Sequence, residues 1–201
     1  AGPRFGGRLK GERADIEGAP ALDWVSAALD ELASLPEARL MPRSTVFGYY
    51  DHNWLAILER VADHVREPPA FVPRQRLWHV RARQVVLAAG AIERPLVFAD
   101  NDRPGIMLAS AARTYANQFS VRAGSRAVVL TNNDSAYAAA FELAESGVEI
   151  AAIVDVRASV SGALAARARE FGFECLFGHD VASALGGRGV EAVDVVDPND
   201  T

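Results

Sequence analysis

Hydrophobic residues recur at two different periods along this chain, and the alternation between them predicts a mixed α/β protein. Leu22, Val25, Leu29 and Leu32 stand three or four residues apart, on one face of a helix over residues 21–35, before Pro36. Residues 40–49 mix Leu, Thr, Val, Phe and Tyr and predict a strand. Asp51 is placed to cap a second helix over 52–66, with Leu55, Leu58, Val61, Ala62 and Val65 on one side and Pro68-Pro69 beyond its end. Residues 74–82 predict another strand. The uncharged run 84–89 predicts a buried parallel strand that ends at Gly90. An extended loop follows over 92–101, and Pro104 suits the first turn of a helix over 105–119.

The second half is more regular. A strand over 126–130, a helix over 135–146 ended by Gly147, and a strand over 149–156 form a βαβ unit. A helix over 160–171 ends at Gly172. Strands follow at 174–177, 181–185 and 190–197, the last two joined by Gly186-Gly187-Arg188-Gly189. The opening residues 1–19, rich in glycine and charge, read as loop. This order predicts an α/β fold class with two Rossmann-like dinucleotide-binding pieces. The first, residues 1–102, is incomplete. The second, residues 103–201, is a parallel sheet with a βαβ unit and a C-terminal β-hairpin.

Composition narrows the function. The 201 residues carry 21 Lys and Arg against 26 Asp and Glu, a net charge of −5, which argues against nucleic acid and anionic membrane as main partners. No apolar run approaches membrane-spanning length and no signal peptide opens the chain, so a cytoplasmic location is expected. Cys175, the one cysteine, allows no internal disulfide and no Cys-x-x-Cys redox pair. The chain starts at Ala1 without a methionine and stops just after a strand-like run, so it is expected to be an internal piece of a longer polypeptide.

Candidate chemistry lies where strands end. Ala88, Ala89 and Gly90 carry almost no side chain, so a phosphate or a second backbone can approach them. In open α/β sheets that carboxyl edge is where ligands bind. Thr131-Asn132-Asn133-Asp134-Ser135-Ala136 occupies the strand-to-helix turn of the βαβ unit, where a dinucleotide site has Gly-x-Gly-x-x-Gly/Ala. Asn133 restores a Cβ where pyrophosphate needs none, so this loop is expected to bind no dinucleotide tightly. Asp155 ends the next strand about 20 residues on, the position of a ribose-binding acid or of a solvent-facing aspartate. The helix start itself could hold a small anion.

Other groups read as structural. Asn101-Asp102-Arg103-Pro104-Gly105 reads as a helix-entry loop in which Asp102 caps and Arg103 is solvated. His52, His64, His79 and His179 are scattered without metal-ligand spacing, although His52 and His64 share one predicted helix. No serine sits in a Gly-x-Ser-x-Gly elbow, and Trp78 and Phe71 read as packing residues. No catalytic residue and no metal ligand are assigned.

Two stretches, RLWHVRARQVVLAAGAIERPLVFADNDRPGIMLASA and VVLTNNDSAYAAAFELAESGVEIAAIVDVR, are long and unusual enough to carry a resemblance. They resemble the alpha subunit of bacterial heterotetrameric sarcosine oxidase, and with it the flavoprotein oxidoreductases that have two dinucleotide-binding domains. The first piece lacks the Gly-x-Gly-x-x-Gly element of that group, which would lie upstream. Gly6, Gly7 and Arg8 match its Gly-Gly loop near ribose and pyrophosphate. Val46 and Phe47 match the segment on the adenine side of bound NAD. Ala88, Ala89 and Gly90 match its Ala-Thr-Gly motif, with Ala89 in place of threonine. The same positions also read as ordinary strand ends and tight turns.

The resemblance implies an enzyme that oxidatively demethylates sarcosine to glycine. Amine oxidation at FAD in another subunit, electron transfer to FMN and peroxide formation from oxygen would all lie outside this chain. Tetrahydrofolate would capture the one-carbon unit at a later domain. NAD would be held in the alpha-subunit core without obvious redox turnover, and the other subunits of the oxidase would be the partners. The isolated chain is expected to be inactive. A subunit of another amine or opine oxidase, and an interaction module that has lost dinucleotide binding, remain as alternatives. A pyridine-nucleotide disulfide reductase is disfavoured by the lone Cys175.

Overall fold

A 3-10 turn over Gly7–Gly11 leads into a two-residue antiparallel ladder of β1 (Asp15–Ile16) and β2 (Ala19–Pro20). The structure, a computed structural model, describes residues 2–160 and 163–198. Helix α1 (Ala21–Ser34) forms where the three-four spacing places it. Its apolar stripe is only partly covered, since Leu22 and Leu32 remain exposed.

Strand β3 (Ser44–Tyr50) begins after Pro42, which has no N–H to give a ladder, and after Arg43 with φ of +55°. The helix expected over 52–66 is not there. Asp51–Asn53 is instead a single tight turn, and β4 (Trp54–Arg60) follows it as a strand. His52 and Asn53 both adopt left-handed backbone, with φ of +60° and +54°, so the chain reverses there and Asp51 caps no α-helix. β4 pairs antiparallel with β3 on one side and with β5 (Gln75–Arg81) on the other. Consecutive Leu55 and Ala56 are both buried, as on a central strand covered on two faces. Two-sided burial puts apolar residues at neighbouring positions, and that mimics helical spacing. His52 and His64 therefore share no helix, and Phe71, expected to pack, is fully exposed.

The run 84–89 corrects a second expectation. It forms no strand and is not buried. Val86 and Leu87 are 88% and 81% exposed, and no described strand lies beside them. A strand needs a neighbour's backbone to satisfy its N–H and C=O groups. None among the described residues supplies it to 84–89, so that run forms no strand.

Packing divides the chain into two units, one of Ala1–Gly7 with Ala14–Ala91, the other of Arg8–Arg13 with Ile92–Thr201. Helix α2 (Ala109–Phe119) starts later than the expected 105, because Gly105 has φ of +102° and cannot enter a right-handed helix. Asp102 does not cap it. The Ser110 N–H at its start is instead accepted by Glu93 Oε2 at 2.8 Å. Arg103 is not solvated either: its guanidinium donates to the carbonyls of Gly186 and Gly187.

The expected βαβ unit is present. β6 (Arg126–Thr131), α3 (Ser135–Glu145) and β7 (Glu149–Asp155) are followed by α4 (Ala163–Glu170) and β8 (Cys175–Phe177). The start of the helix predicted from 160 lies partly outside the described residues. Strands β6, β7 and β8 are parallel, in that order, so β7 is central and its Ile153, Val154 and Asp155 are fully buried. Val129, Tyr137, Ala140, Phe141, Leu143 and Ile150 form the core beneath α3. β9 (Asp180–Leu185) and β10 (Ala192–Val196) make the C-terminal hairpin, and Ala99 bridges to Ser183. The fold class is α/β with Rossmann-like units, the first of them incomplete.

Candidate functional site

The residues expected to face a cofactor occupy three stretches of chain. Gly6 and Gly7 have φ of +106° and +51°, backbone that favours glycine, and Gly7 opens the 3-10 turn. No atom lies within 4 Å of where a Gly7 Cβ would stand. The Arg8 side chain is 81% exposed and pairs with Glu12 at 3.0 Å.

Val46 and Phe47 lie at a β-bulge. Val46 pairs with Ile57 and Gly48 with Ala56, which leaves Phe47 as the extra residue. Both side chains are exposed, because the bulge interrupts the inward-outward alternation of β3. Ala88, Ala89 and Gly90 lie in the unpaired stretch beyond β5, all exposed. Gly90 has φ of +72° and open space around its Cα. Small residues with left-handed backbone and no neighbour are what a phosphate needs for close approach.

The sheet edge of the second unit is built differently. Thr131, at the end of β6, is buried, and its Oγ1 donates to the Asn133 carbonyl at 2.8 Å while accepting from the Asn133 N–H at 3.1 Å. Asn133 Oδ1 accepts from the Ser135 N–H at 3.0 Å and from Ser135 Oγ at 2.6 Å. The two side chains that replace the first two glycines thus bond the turn to itself, and the first N–H of α3 already has an acceptor. Asp155 is neither a ribose ligand in waiting nor solvent-facing. It is fully buried, and its Oδ2 accepts from the Tyr137 hydroxyl at 2.9 Å and from Arg157 Nη2 at 2.7 Å. Its Oδ1 accepts from the Arg157 N–H at 3.0 Å and Nε at 2.9 Å. Arg157 also reaches Asp134 at 2.8 Å. These residues do not fit a dinucleotide, since the acid and the turn are both consumed by internal bonds.

Electrostatics follow from that geometry. Burial opposes charge on Asp155, but the Arg157 guanidinium and N–H and the Tyr137 hydroxyl together hold its carboxyl below the usual range. Burial, with the hydrogen bond to Asp155, pushes the Tyr137 phenol up. A second buried acid, Glu142 on α3, accepts from Arg113 Nε at 2.6 Å, from Arg113 Nη2, from the Asn117 amide and from the Arg13 N–H at 3.2 Å. Burial disfavours its charge as well, yet Arg113 outweighs this and the carboxyl stays low. Sequence reasoning missed Arg157, Tyr137, Arg113 and Glu142. One signal was available: a lone acid among the alanines of Ala138-Ala139-Ala140-Phe141-Glu142-Leu143 needs a buried cation.

Among the described residues, no three His, Cys, Asp or Glu gather as metal donors, and no helix is long and apolar enough to cross a membrane.

No protein-family model matches the chain. Among curated proteins it is 46% identical over 185 residues to the sarcosine oxidase alpha subunit of Corynebacterium sp. strain U-96, and 40% identical over 190 residues to that of Rhizobium meliloti strain 1021. The subunit from Corynebacterium sp. strain P-1 is 49% identical over 162 residues. These matches cover 90%, 94% and 80% of this chain, and the chain spans only 17–19% of each relative. Among solved structures, thioredoxin reductase from T. acidophilum matches with a TM-score of 0.64 at 11% identity, over 97% of this chain and 60% of that one. L-proline dehydrogenase from P. horikoshii matches at 0.58 and 19% identity, over 98% of this chain and 33% of that one. At such identities the likeness shows the fold alone. By sequence, the chain is similar over nearly its whole length to one segment, about a fifth, of the sarcosine oxidase alpha subunit.

Proposed function

We propose that this chain is part of the cofactor-binding core of a sarcosine oxidase-type subunit, and that the whole protein supports oxidative demethylation of sarcosine to glycine. The observation that carries this reading is 40–49% identity to three sarcosine oxidase alpha subunits over most of the chain. NAD is the cofactor proposed for the first unit, with Gly6, Gly7 and Arg8 at its ribose and pyrophosphate, Val46 and Phe47 on the adenine side, and Ala88, Ala89 and Gly90 beside the pyrophosphate. Exposure, positive φ and open space at Gly7 and Gly90 support it. FAD and FMN belong to other parts of the complex, as do sarcosine and tetrahydrofolate. The chain's own residues bind and shape; none is assigned a chemical step.

Exposed apolar side chains in the first unit, among them Leu22, Phe47, Val86 and Leu87, support further polypeptide as its covering layer. On this reading 85–89 becomes a strand once a neighbouring strand lies beside it. The test is NAD retention by the full-length protein after gel filtration, with Gly7→Val and Gly90→Val as variants. Retention by the parent protein and loss by both variants is expected. Full retention by both variants defeats the site assignment. The purified chain alone is expected to form no peroxide from sarcosine.

The self-bonded turn at Thr131 and Asn133 favours a second reading for the second unit, an interaction module without nucleotide. A full-length protein that elutes free of NAD and stays assembled with its other subunits would favour that reading for the whole chain.

A further inference from the structure

We propose that Asn53 is a positioning residue that fixes the register of the run 84–90, and with it the presentation of Ala88, Ala89 and Gly90 to the pyrophosphate of a dinucleotide; the assignment rests on the nucleotide reading above. Every residue involved belongs to the first unit. Three hydrogen bonds meet at Asn53. Its Oδ1 accepts from the Tyr49 hydroxyl at 2.6 Å, its Nδ2 donates to the Arg83 carbonyl at 3.1 Å, and its own carbonyl accepts from the Ala82 N–H at 3.0 Å.

The turn alone does not require this side chain. β3 and β4 are joined through Asp51, His52 and Asn53, and φ of +54° at Asn53 is left-handed backbone that glycine adopts most readily. Asparagine tolerates it and adds an amide with one accepting and one donating end. Both ends are used. Tyr49 on β3 holds the oxygen, which turns the nitrogen toward Arg83. The backbone carbonyl takes the N–H of Ala82, the first residue beyond β5. The chain leaving the sheet is thus gripped at two consecutive residues, at one by its N–H and at the next by its carbonyl.

Beyond that grip, 84–89 has no backbone partner among the described residues, so its direction is set where it starts. On the reading that 85–89 becomes a strand beside other polypeptide, its register is set there too. A slip of one residue would shift Gly90 by about 3.3 Å and turn each side chain to the opposite face. Close main-chain approach of a phosphate at Gly90 does not survive such a shift. Tyr49 also lies two residues from Phe47 on β3. One amide therefore links the strand that carries Val46 and Phe47 to the run that carries Ala88, Ala89 and Gly90. The two side-chain bonds are exposed, and the ladders of β3, β4 and β5 do not use them. Removing them separates positioning from folding.

The experiment uses the full-length protein. Hydrogen exchange without added NAD is read by mass spectrometry over 84–90 and, separately, over β3 to β5. NAD affinity by titration and melting temperature are measured beside it. Asn53→Asp keeps the acceptor for Tyr49 and removes the donor to Arg83. Asn53→Gly keeps the turn and removes the whole amide, so a residue needed only for the turn would be replaced without loss. Tyr49→Phe releases the amide oxygen, and Gly90→Val reports on the nucleotide reading. Both Asn53 variants are expected to speed exchange over 84–90, with exchange over β3 to β5 and the melting temperature nearly unchanged. Both are expected to weaken NAD binding roughly threefold or more, and Tyr49→Phe to weaken it less. Unchanged exchange over 84–90 in both Asn53 variants overturns the assignment. So does full NAD affinity in both of them while Gly90→Val loses NAD, and the nucleotide reading then stands. If Gly90→Val binds NAD normally, the nucleotide reading falls and this assignment falls with it.

Discussion

The Tyr137 hydroxyl donates to Asp155 Oδ2 at 2.9 Å, and both residues are fully buried. Tyr137 lies near the start of α3 and Asp155 at the end of β7, so this bond ties helix to central strand where a dinucleotide fold has its ligand crevice. Arg157 closes the carboxylate's other side. The acid that could have faced a ribose is a structural anchor instead.

Removing the hydroxyl isolates that anchor's value. Tyr137→Phe leaves Asp155 buried with Arg157 as its remaining side-chain partner. A loss of about 1–3 kcal/mol is expected, the range for hydrogen bonds to charged groups. Urea unfolding of the chain measures it, and a change within error would mean that Arg157 alone satisfies the carboxylate.

Acid should unfold the protein through two particular carboxylates. Arg157 and Tyr137 hold Asp155 below its ordinary value against the cost of burial, and Arg113 does the same for Glu142. Their stabilisation is complete above the unfolded carboxylate values near pH 4 and drains as pH falls through the lower folded values. The urea midpoint is expected to hold from about pH 7 to 5 and fall below about pH 4. Asp155→Asn and Glu142→Gln should lower the plateau and shallow the fall; an equally steep fall in both variants would count against this assignment.

At the alkaline end the raised Tyr137 phenol acts in the opposite sense. Its contribution is complete below the ordinary phenol value near 10 and is lost as pH rises toward the higher folded one. Tyr137→Phe is expected to remove that alkaline loss, which a pH series of thermal melts reads directly.

Restoring glycines at the turn should not restore a nucleotide site. Thr131→Gly with Asn133→Gly deletes the bonds within the turn and frees the Ser135 N–H, yet leaves Asp155 held by Tyr137 and Arg157. A stability loss of about 1–3 kcal/mol without NAD binding in this unit is expected. Tight binding by that double variant would show that the two side chains were the only barrier.

Val86 and Leu87 separate the chain from its proposed context. Because both are exposed here, Val86→Asp and Leu87→Asp should change the isolated chain's stability by no more than about 0.5 kcal/mol. In the full-length protein the same changes should sharply lower soluble yield, if 85–89 joins a sheet there. Equal tolerance in both settings would remove that proposal.

Periodicity alone located α1, β5, the βαβ unit and the C-terminal hairpin, because each follows one period over its whole length and ends at a glycine, a proline or a change of pattern. It also exposed the departure at Thr131 and Asn133, since a missing glycine is visible without coordinates. Tertiary structure alone decided the rest. β4 and the run 84–89 are both short apolar stretches, and whether such a stretch is a strand depends on whether backbone from elsewhere lies alongside. β4 has it on both sides; among the described residues, 84–89 has none. Asp155 owes its role to burial and to partners from α3 and from the turn after β7. Glu142 holds both the Arg113 guanidinium and the Arg13 N–H, the latter more than a hundred positions away. Local sequence encodes the period of a segment; only the folded chain determines which segments meet, and therefore which charges are shared.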